Sequence, residues 1–289
     1  MLRYLKMWRV RPEMHISDGE FRRSVAVPII MLPLIGVVAA LVTASPRTAG
    51  STARLSAILF DIDGTLFNSD DLHLKAFQDL LMEYNYDGGK MITEAFFMKM
   101  ISGRQNSQIV ADLFPDMDAS AGAAFSERKE ARFRELAGEL LPSLATPGLN
   151  GLLGRCEAAG VRCAAVTNAP RANAELMLGA IGRLGWFQPL IIGDECSAGK
   201  PDPEPYLRAM RELGVTADEC IAFEDSTSGA TAAVAARVKT IGITTTQSAE
   251  KLQEAGCSFS IQDFESEALQ RELNGWRIGD ASEIAEARQ

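Results

Sequence analysis

The chain has 289 residues, 47% of them apolar, and a formal net charge of −9. That length allows one large or two smaller domains with a sizeable core, and the acidic balance argues against nonspecific nucleic-acid binding, which depends on Lys and Arg to neutralise phosphates. Five cysteines form no CxxC pair and only two histidines are present, neither near a cysteine in sequence, which points to free thiols in a reducing compartment and away from a zinc site.

Charge is uneven along the chain. Residues 1–54 hold 8 Lys/Arg against 3 Asp/Glu, the remainder 21 against 35, so the N-terminus reads as a separate extension. Within it Val25 to Val42 is uninterruptedly apolar, preceded by Arg22 and Arg23 and containing Pro28, Pro33 and Gly36. Its length reaches the lower end of a membrane span, ~17–25 residues. Val42-Thr43-Ala44 resembles a small-residue cleavage site, so an anchor, a targeting segment and an extension with no targeting role all compete. Glu13, Asp18 and Glu20 count against a transit peptide, which is poor in acids. Membrane contact is confined to residues 25–42; the default location is the cytoplasm, with plastid targeting or a membrane anchor as alternatives. Pro46 to Thr52 is a small-residue linker.

From Leu55 the pattern alternates. Strands are predicted at Ala57–Phe60, Val161–Val166, Pro189–Ile192, Cys220–Phe223 and Val238–Ile241. Helices are predicted at Gly148–Ala159, Ala172–Ile181, Pro203–Leu213, Thr227–Ala236 and Ser248–Ala255. Such alternation implies an α/β fold, a doubly wound parallel sheet covered on both faces. Asp70 to Pro147 shows no good strand but several amphipathic runs, such as Asp71–Glu83, Glu94–Met100 and Phe125–Leu141. It is too long for a crossover and reads as a helical insertion. The expected division is therefore an extension at 1–54, a core at 55–69 and 148–274, a helical cap at 70–147 and a polar, mobile tail at 275–289. Gly64 with Asn68–Asp71, and Pro142–Gly148 on the return side, are the expected hinges.

Ligands of such a sheet bind at the carboxyl ends of its strands, near the switch point. Asp61-Ile62-Asp63-Gly64-Thr65 follows the first strand. A DxDG alone is weak, because calcium loops use it, but the later EF-hand positions are Thr65, Leu66 and Leu72 here, and that reading fails. Thr167-Asn168 ends the second strand, Lys200 follows the third and Glu224-Asp225 the fourth. Acids, a hydroxyl, an amide and a lysine at four strand ends suit phosphoryl transfer. Asp61 would attack to form an aspartyl-phosphate, and Asp63 would protonate the leaving alcohol and then activate water. Asp61, Asp225 and the Asp63 carbonyl are candidate ligands for Mg²⁺, with Glu224 holding a metal water. Thr167 and Asn168 would donate hydrogen bonds to the transferring oxygens, and Lys200 would neutralise developing charge. Plainer roles compete: Thr167 as a helix N-cap, Lys200 as a solvated loop lysine, Glu224-Asp225 as acids answering a helix dipole.

These four motifs resemble the haloacid dehalogenase superfamily of Mg²⁺-dependent phosphohydrolases, and the helical insertion resembles the cap of its β-phosphoglucomutase-like branch. Ile101-Ser-Gly-Arg-Gln-Asn-Ser, Leu113-Phe-Pro-Asp and Asn173-Ala-Glu-Leu-Met are similar to stretches of plant sugar-phosphate phosphatases of broad specificity. The likeness runs from about Leu55 to about Ala268. It implies a small phosphorylated sugar or polyol as substrate, a monomer, and cap residues that read the substrate: Arg104 in the loop after Gly103, His73 near the hinge and Lys129. Solvated or ordinary structural roles compete for each, and Arg171 would either bind phosphate or face water. A phosphomutase is the main alternative to a phosphatase; Thr65 leans toward hydrolysis, since the mutases usually carry an aliphatic residue there. A dehalogenase needs no second acid, so Asp63 argues against it, and the full catalytic set argues against a non-catalytic scaffold.

Overall fold

The computed structural model describes residues 54–278. The N-terminal extension and its apolar segment lie outside these residues, as does the tail beyond Ile278. No helix among the described residues is long and apolar enough to cross a membrane.

In chain order the strands are β1 (Arg54–Leu55), β2 (Ala57–Phe60), β3 (Arg162–Thr167), β4 (Leu190–Ile192), β5 (Cys220–Glu224), β6 (Lys239–Ile243), β7 (Phe259–Ile261) and β8 (Arg277–Ile278). Six form one parallel sheet in the order β4-β3-β2-β5-β6-β7. β1 and β8 make a separate parallel ladder, so two residues of the expected polar tail are paired rather than free. β7 was not predicted: Ser258 and Ser260 interrupt its apolar pattern, and as an edge strand it needs no continuous apolar run.

All four residues of β2 are buried, and they divide between the two faces with period two. Ile58 and Phe60 join one core cluster with Ile221, Phe223 and Ile241; Ala57 and Leu59 join the other with Ala164, Val166 and Ala222. Phe60 pairs in register with both Ala165 and Phe223, and its ring stacks on that of Phe223 at 5.3 Å. That register brings the ends of β2, β3 and β5 out together. The chain moves from β2 outward to β3 and β4, then returns to β5 on the other side of β2, so the switch point falls at β2.

Helices α1 (Asp70–Glu83), α2 (Glu94–Met100), α3 (Asn106–Leu113) and α4 (Ala119–Ala137) follow β2 and form the inserted cap. Phe77, Leu80, Phe97, Ile109, Leu113 and Phe125 give it an apolar cluster of its own. The helix expected at Phe125–Leu141 begins earlier, because Asp118 caps it by accepting from the Ala121 N–H at 2.9 Å, and it stops at Gly138, ahead of Pro142. The two linkers run side by side: Asn68 N–H donates to Leu144 O at 2.9 Å, Thr146 N–H to Leu66 O at 3.0 Å. The remaining helices are α5 (Leu149–Ala158), α6 (Arg171–Ala180), α7 (Glu204–Leu213), α8 (Thr227–Ala235), α9 (Ala249–Glu254) and α10 (Glu267–Asn274). Among them α10 was not predicted; Leu269 and Leu273, four apart, bury its one apolar stripe.

Candidate active site

Asp61 leaves β2 and Glu224 ends β5, so the in-step pairing of Phe60 with Phe223 sets their carboxylates side by side. Asp225 follows. One carboxylate oxygen from each of Asp61, Glu224 and Asp225 lies within 4.8 Å of the others, and all three residues are buried. Gly64 makes room for this cluster: it sits at φ +77°, and a Cβ there would lie 2.0 Å from Asp225 Oδ2. Thr65 Oγ1 donates to Asp225 Oδ1 at 3.1 Å.

Lys200 is inserted among these acids. Its buried Nζ donates to Asp61 Oδ1 (2.6 Å), Glu224 Oε1 (2.6 Å) and Val166 O (2.7 Å), which uses all three of its N–H bonds. It is not a solvated loop lysine. Asn168 holds its main chain at both ends, donating to Lys200 O at 3.1 Å and accepting from Lys200 N–H at 3.0 Å. The Asn168 side chain, expected to donate to the transferring oxygens, thus engages the lysine's main chain. Thr167 Oγ1 accepts from Ala169 N–H at 3.0 Å in the turn before α6, a local version of the capping role.

Burial raises the Asp61 carboxyl well above the usual range, Lys200 opposes this, and Glu224 and Asp225 add to it. Burial and the Glu224 charge push Asp225 up to about 8. Burial disfavours the Lys200 charge, but Asp61 and Glu224 outweigh it and hold the ammonium protonated. A buried site with more carboxylates than cations suits a small, hard divalent ion. The donors fit: Lys200 engages one oxygen of Asp61 and of Glu224 and leaves the other oxygen of each outside its grasp.

Asp63 points elsewhere. Its Oδ1 accepts from Ser69 Oγ at 2.7 Å and lies 2.9 Å from His73 Nε2. Burial raises this carboxyl, but His73, Ser69 and Lys129 more than offset it and leave it below its ordinary value. His73 Nδ1 is 3.0 Å from Lys129 Nζ, and the ring stacks on Phe133 at 4.0 Å. Lys129 is buried, not solvated as its charged neighbours suggested.

A cleft of about 790 Å³, its open mouth included, lies between the strand ends and the cap. Of the expected residues, Asp61, Asp63, His73, Arg104, Lys129, Thr167, Asn168, Lys200 and Asp225 line it. Glu224 is fully buried behind it. Arg104 lines the cleft, yet its Nη1 donates to Met100 O at 2.8 Å and its Nη2 to Asp112 at 2.6 Å, so both terminal nitrogens are engaged within the cap. Arg171 is not brought in: it is exposed and makes a two-pronged pair with Glu195 at 2.6 and 2.7 Å. Tyr206, which sequence reasoning missed, donates its hydroxyl to Glu224 Oε1. A tyrosine on the buried face of the helix after Lys200 was the available signal, since a buried phenol requires a partner. Glu130 and Asp70, also on the cleft wall, were missed because charged helical positions usually face water.

A parallel sheet of this order, with an acid pair after its first long strand, a buried lysine after a later one and a helical cap between, defines a capped α/β hydrolase. The chain belongs to the haloacid dehalogenase-like hydrolase family, which it matches over residues 58–243. It is 33% identical over 68% of its length to validoxylamine A 7′-phosphate phosphatase of Streptomyces hygroscopicus subsp. limoneus, 89% of which is covered. It is 28% identical over 65% of its length to a phosphorylated carbohydrates phosphatase of Thermotoga maritima, 84% covered. Among solved structures, a mutant CbbY of Rhodobacter sphaeroides in complex with xylulose-(1,5)bisphosphate superposes with a TM-score of 0.64 at 26% identity, covering 73% of this chain and 95% of that one.

Proposed function

We propose that the protein is a Mg²⁺-dependent phosphatase that hydrolyses small sugar or polyol phosphate monoesters through an aspartyl-phosphate. The observation that carries this reading is the separation of the two acids of the DxDG turn. Asp61 is gathered with Glu224, Asp225 and Lys200, while Asp63, two residues on, is bonded to Ser69 and His73. One position suits a nucleophile and the other proton transfer. The relatives named as phosphatases of phosphorylated sugars and of validoxylamine A 7′-phosphate support the substrate class.

Asp61, Asp225 and the Asp63 carbonyl would hold Mg²⁺, with Glu224 behind a metal water. Bound there, the ion supplies the positive charge that lets an anionic nucleophile approach an anionic ester. Asp61 attacks phosphorus through a carboxylate oxygen. The ester P–O bond breaks, its electron pair leaves with the alcohol oxygen, and Asp63 delivers a proton there. Water then attacks phosphorus, gives a proton to Asp63, and the P–O bond to Asp61 breaks. Lys200 keeps Asp61 in place and balances charge on the transferring group. Thr167 lies at the rim to donate to that group. With His73 beside it Asp63 is held as an anion; an arriving phosphate dianion opposes that influence and restores the proton the first step requires.

The test is release of inorganic phosphate from glycerol and hexose phosphates, with Mg²⁺ and after chelation. Release that requires the ion supports the reading. Undiminished turnover in chelator, or isomerisation of a hexose 1-phosphate without appreciable phosphate release, overturns it, the latter in favour of a phosphomutase.

A further inference from the structure

The cap wall of the cleft neutralises its own charges. Lys129 donates to Glu130 Oε1 at 2.9 Å, meets His73 Nδ1 at 3.0 Å, and rests 4.9 Å from the centre of the Phe77 ring. The Glu130 carboxylate faces its charge and the Phe77 ring adds a cation–π contact, so the ammonium is already partnered before a ligand arrives. Both residues of the Lys129–Glu130 pair are at most 4% exposed, so the pair is little screened by water. The Glu130 carboxylate is itself fixed: Asn106 Nδ2 donates to Oε1 and Asn173 Nδ2 to Oε2, each at 2.6 Å. Asn173 reaches across from α6 in the core, and Arg134 Nη1 anchors its Oδ1 at 2.9 Å. Glu130 therefore does not swing away to free the lysine. Burial raises its carboxyl, but Lys129, His73 and Asn106 more than compensate, so it is charged at neutral pH. Arg104, the other cap cation on this wall, is engaged by Met100 O and Asp112.

Apart from the Asp70 carboxyl, which accepts from Ser102 Oγ, what remains facing the cleft from the cap is neutral or apolar: the amides of Gln105 and Asn106, and Phe77, Phe97, Ile101 and Ile109. Closure over a substrate strips water from whatever the transferring phosphate is attached to. Hydroxyl groups regain hydrogen bonds from amides and carboxylate oxygens. A second phosphate or a carboxylate loses its hydration and meets cations that are already paired, with the Glu130 charge beside it.

We infer that Glu130 determines specificity: by cancelling Lys129 it confines the site to monophosphates with a neutral, polyhydroxylated remainder and turns away esters bearing a second anionic group. This rests on the phosphatase reading above and goes beyond it in naming the excluded class. It also bears on the phosphomutase, since such an enzyme has to hold a bisphosphorylated sugar during its cycle.

The experiment compares kcat/KM, with Mg²⁺, for glycerol 1-phosphate and sorbitol 6-phosphate against 2-phosphoglycolate and fructose 1,6-bisphosphate, in the full chain and in Glu130→Gln and Glu130→Asp. The unsubstituted protein should favour the neutral esters at least ~10-fold. Glu130→Gln should shrink that ratio roughly 10-fold, through a lower KM for the anionic esters. Glu130→Asp, which keeps the charge, should retain most of it. A ratio unmoved by Glu130→Gln overturns the inference. So does equal or better turnover of the anionic esters by the unsubstituted protein, a measurement that needs no variant to fold. Absence of hydrolysis of any ester overturns the phosphatase reading itself, whereas hydrolysis with the opposite ranking overturns only the assignment to Glu130.

Discussion

On the sheet side of the cleft one lysine stands among three buried carboxylates and bonds two of them, whereas on the cap side Lys129 and Arg104 each have a carboxylate of their own. The first arrangement is electrostatically unfinished. Burial, with a surplus of negative charge, pushes Asp225 up to about 8 and leaves a demand that a cation can meet. The second is complete before anything binds. On the proposed reading the contrast separates chemistry from selection: the half that would transfer the phosphoryl group is poised by an imbalance, and the half that would read the remainder of the substrate is quiet. Their supports differ in kind too. Strand ends in fixed register place the sheet-side groups, while the cap-side groups rest on helix packing around Phe77 and Phe97 and on Asn173 reaching over from α6.

If that contrast is right, the largest effects come from the sheet side. Asp61→Asn should lower kcat by ~10⁴-fold or more on every ester, since it removes the proposed nucleophile rather than a contact; unchanged phosphate release would place the activity elsewhere. Lys200→Met should cost ~10³-fold in rate and also about 3–5 kcal/mol of stability, because two buried carboxylates lose their shared partner. Denaturant unfolding in the presence of chelator checks the second part; an unaltered midpoint would mean that the lysine is not what tolerates those acids.

The imbalance should also be visible without any substitution. The native Asp225 carboxyl titrates at about 8, against roughly 3.9 in an unfolded chain. Between those values the native state binds more protons than the unfolded state, so stability in chelator should fall as pH rises from ~4 to ~8. Asp61 shifts in the same direction. Asp63 and Glu130, whose carboxyls lie below their ordinary values, act only at more acidic pH. A cation bound at this cluster would displace the Asp225 proton, so thermal stabilisation by Mg²⁺ should be larger at pH 8 than at pH 6. A flat or rising melting temperature in chelator across this window would show that the carboxylates are not crowded.

Smaller effects belong to the boundary and the exterior. His73 lowers the Asp63 carboxyl, so His73→Ala should raise it and move the basic limb of kcat/KM, where the protonated acid is needed, toward higher pH, with a loss of roughly 10–100-fold. A limb that stays in place would uncouple the two residues. Arg171→Ala should change kcat/KM less than about twofold and stability by under ~1 kcal/mol, since its pair with Glu195 is exposed and away from the cleft. A large loss of activity would mean that Arg171 leaves Glu195 for the substrate.

Much of the sheet side was legible in the sequence, because period-two burial and strand-end positions are local properties. Four apolar residues followed by Asp61-Ile-Asp-Gly already imply a buried strand opening onto a turn. Thr167 and Glu224-Asp225 fall at later strand ends by the same logic, and Lys200 in the loop that follows β4. The roles were less legible than the places. Asn168 was expected to bind substrate and instead holds the Lys200 main chain, across 32 residues of sequence. Arg104 was expected to face substrate, and its terminal nitrogens turn to Met100 and Asp112. Glu130 looked like one more charge on a helix surface.

The sequence by itself determined the fold class, the inserted cap, the family and the strand ends where the chemistry gathers, since each follows from periodicity and short motifs. Only the tertiary structure decided which charges cancel. That depends on Lys129 meeting His73 from 56 residues away and Glu130 meeting Asn173 from 43, and a charge pair is worth much or little according to distance and the water around it, neither of which the order of residues contains.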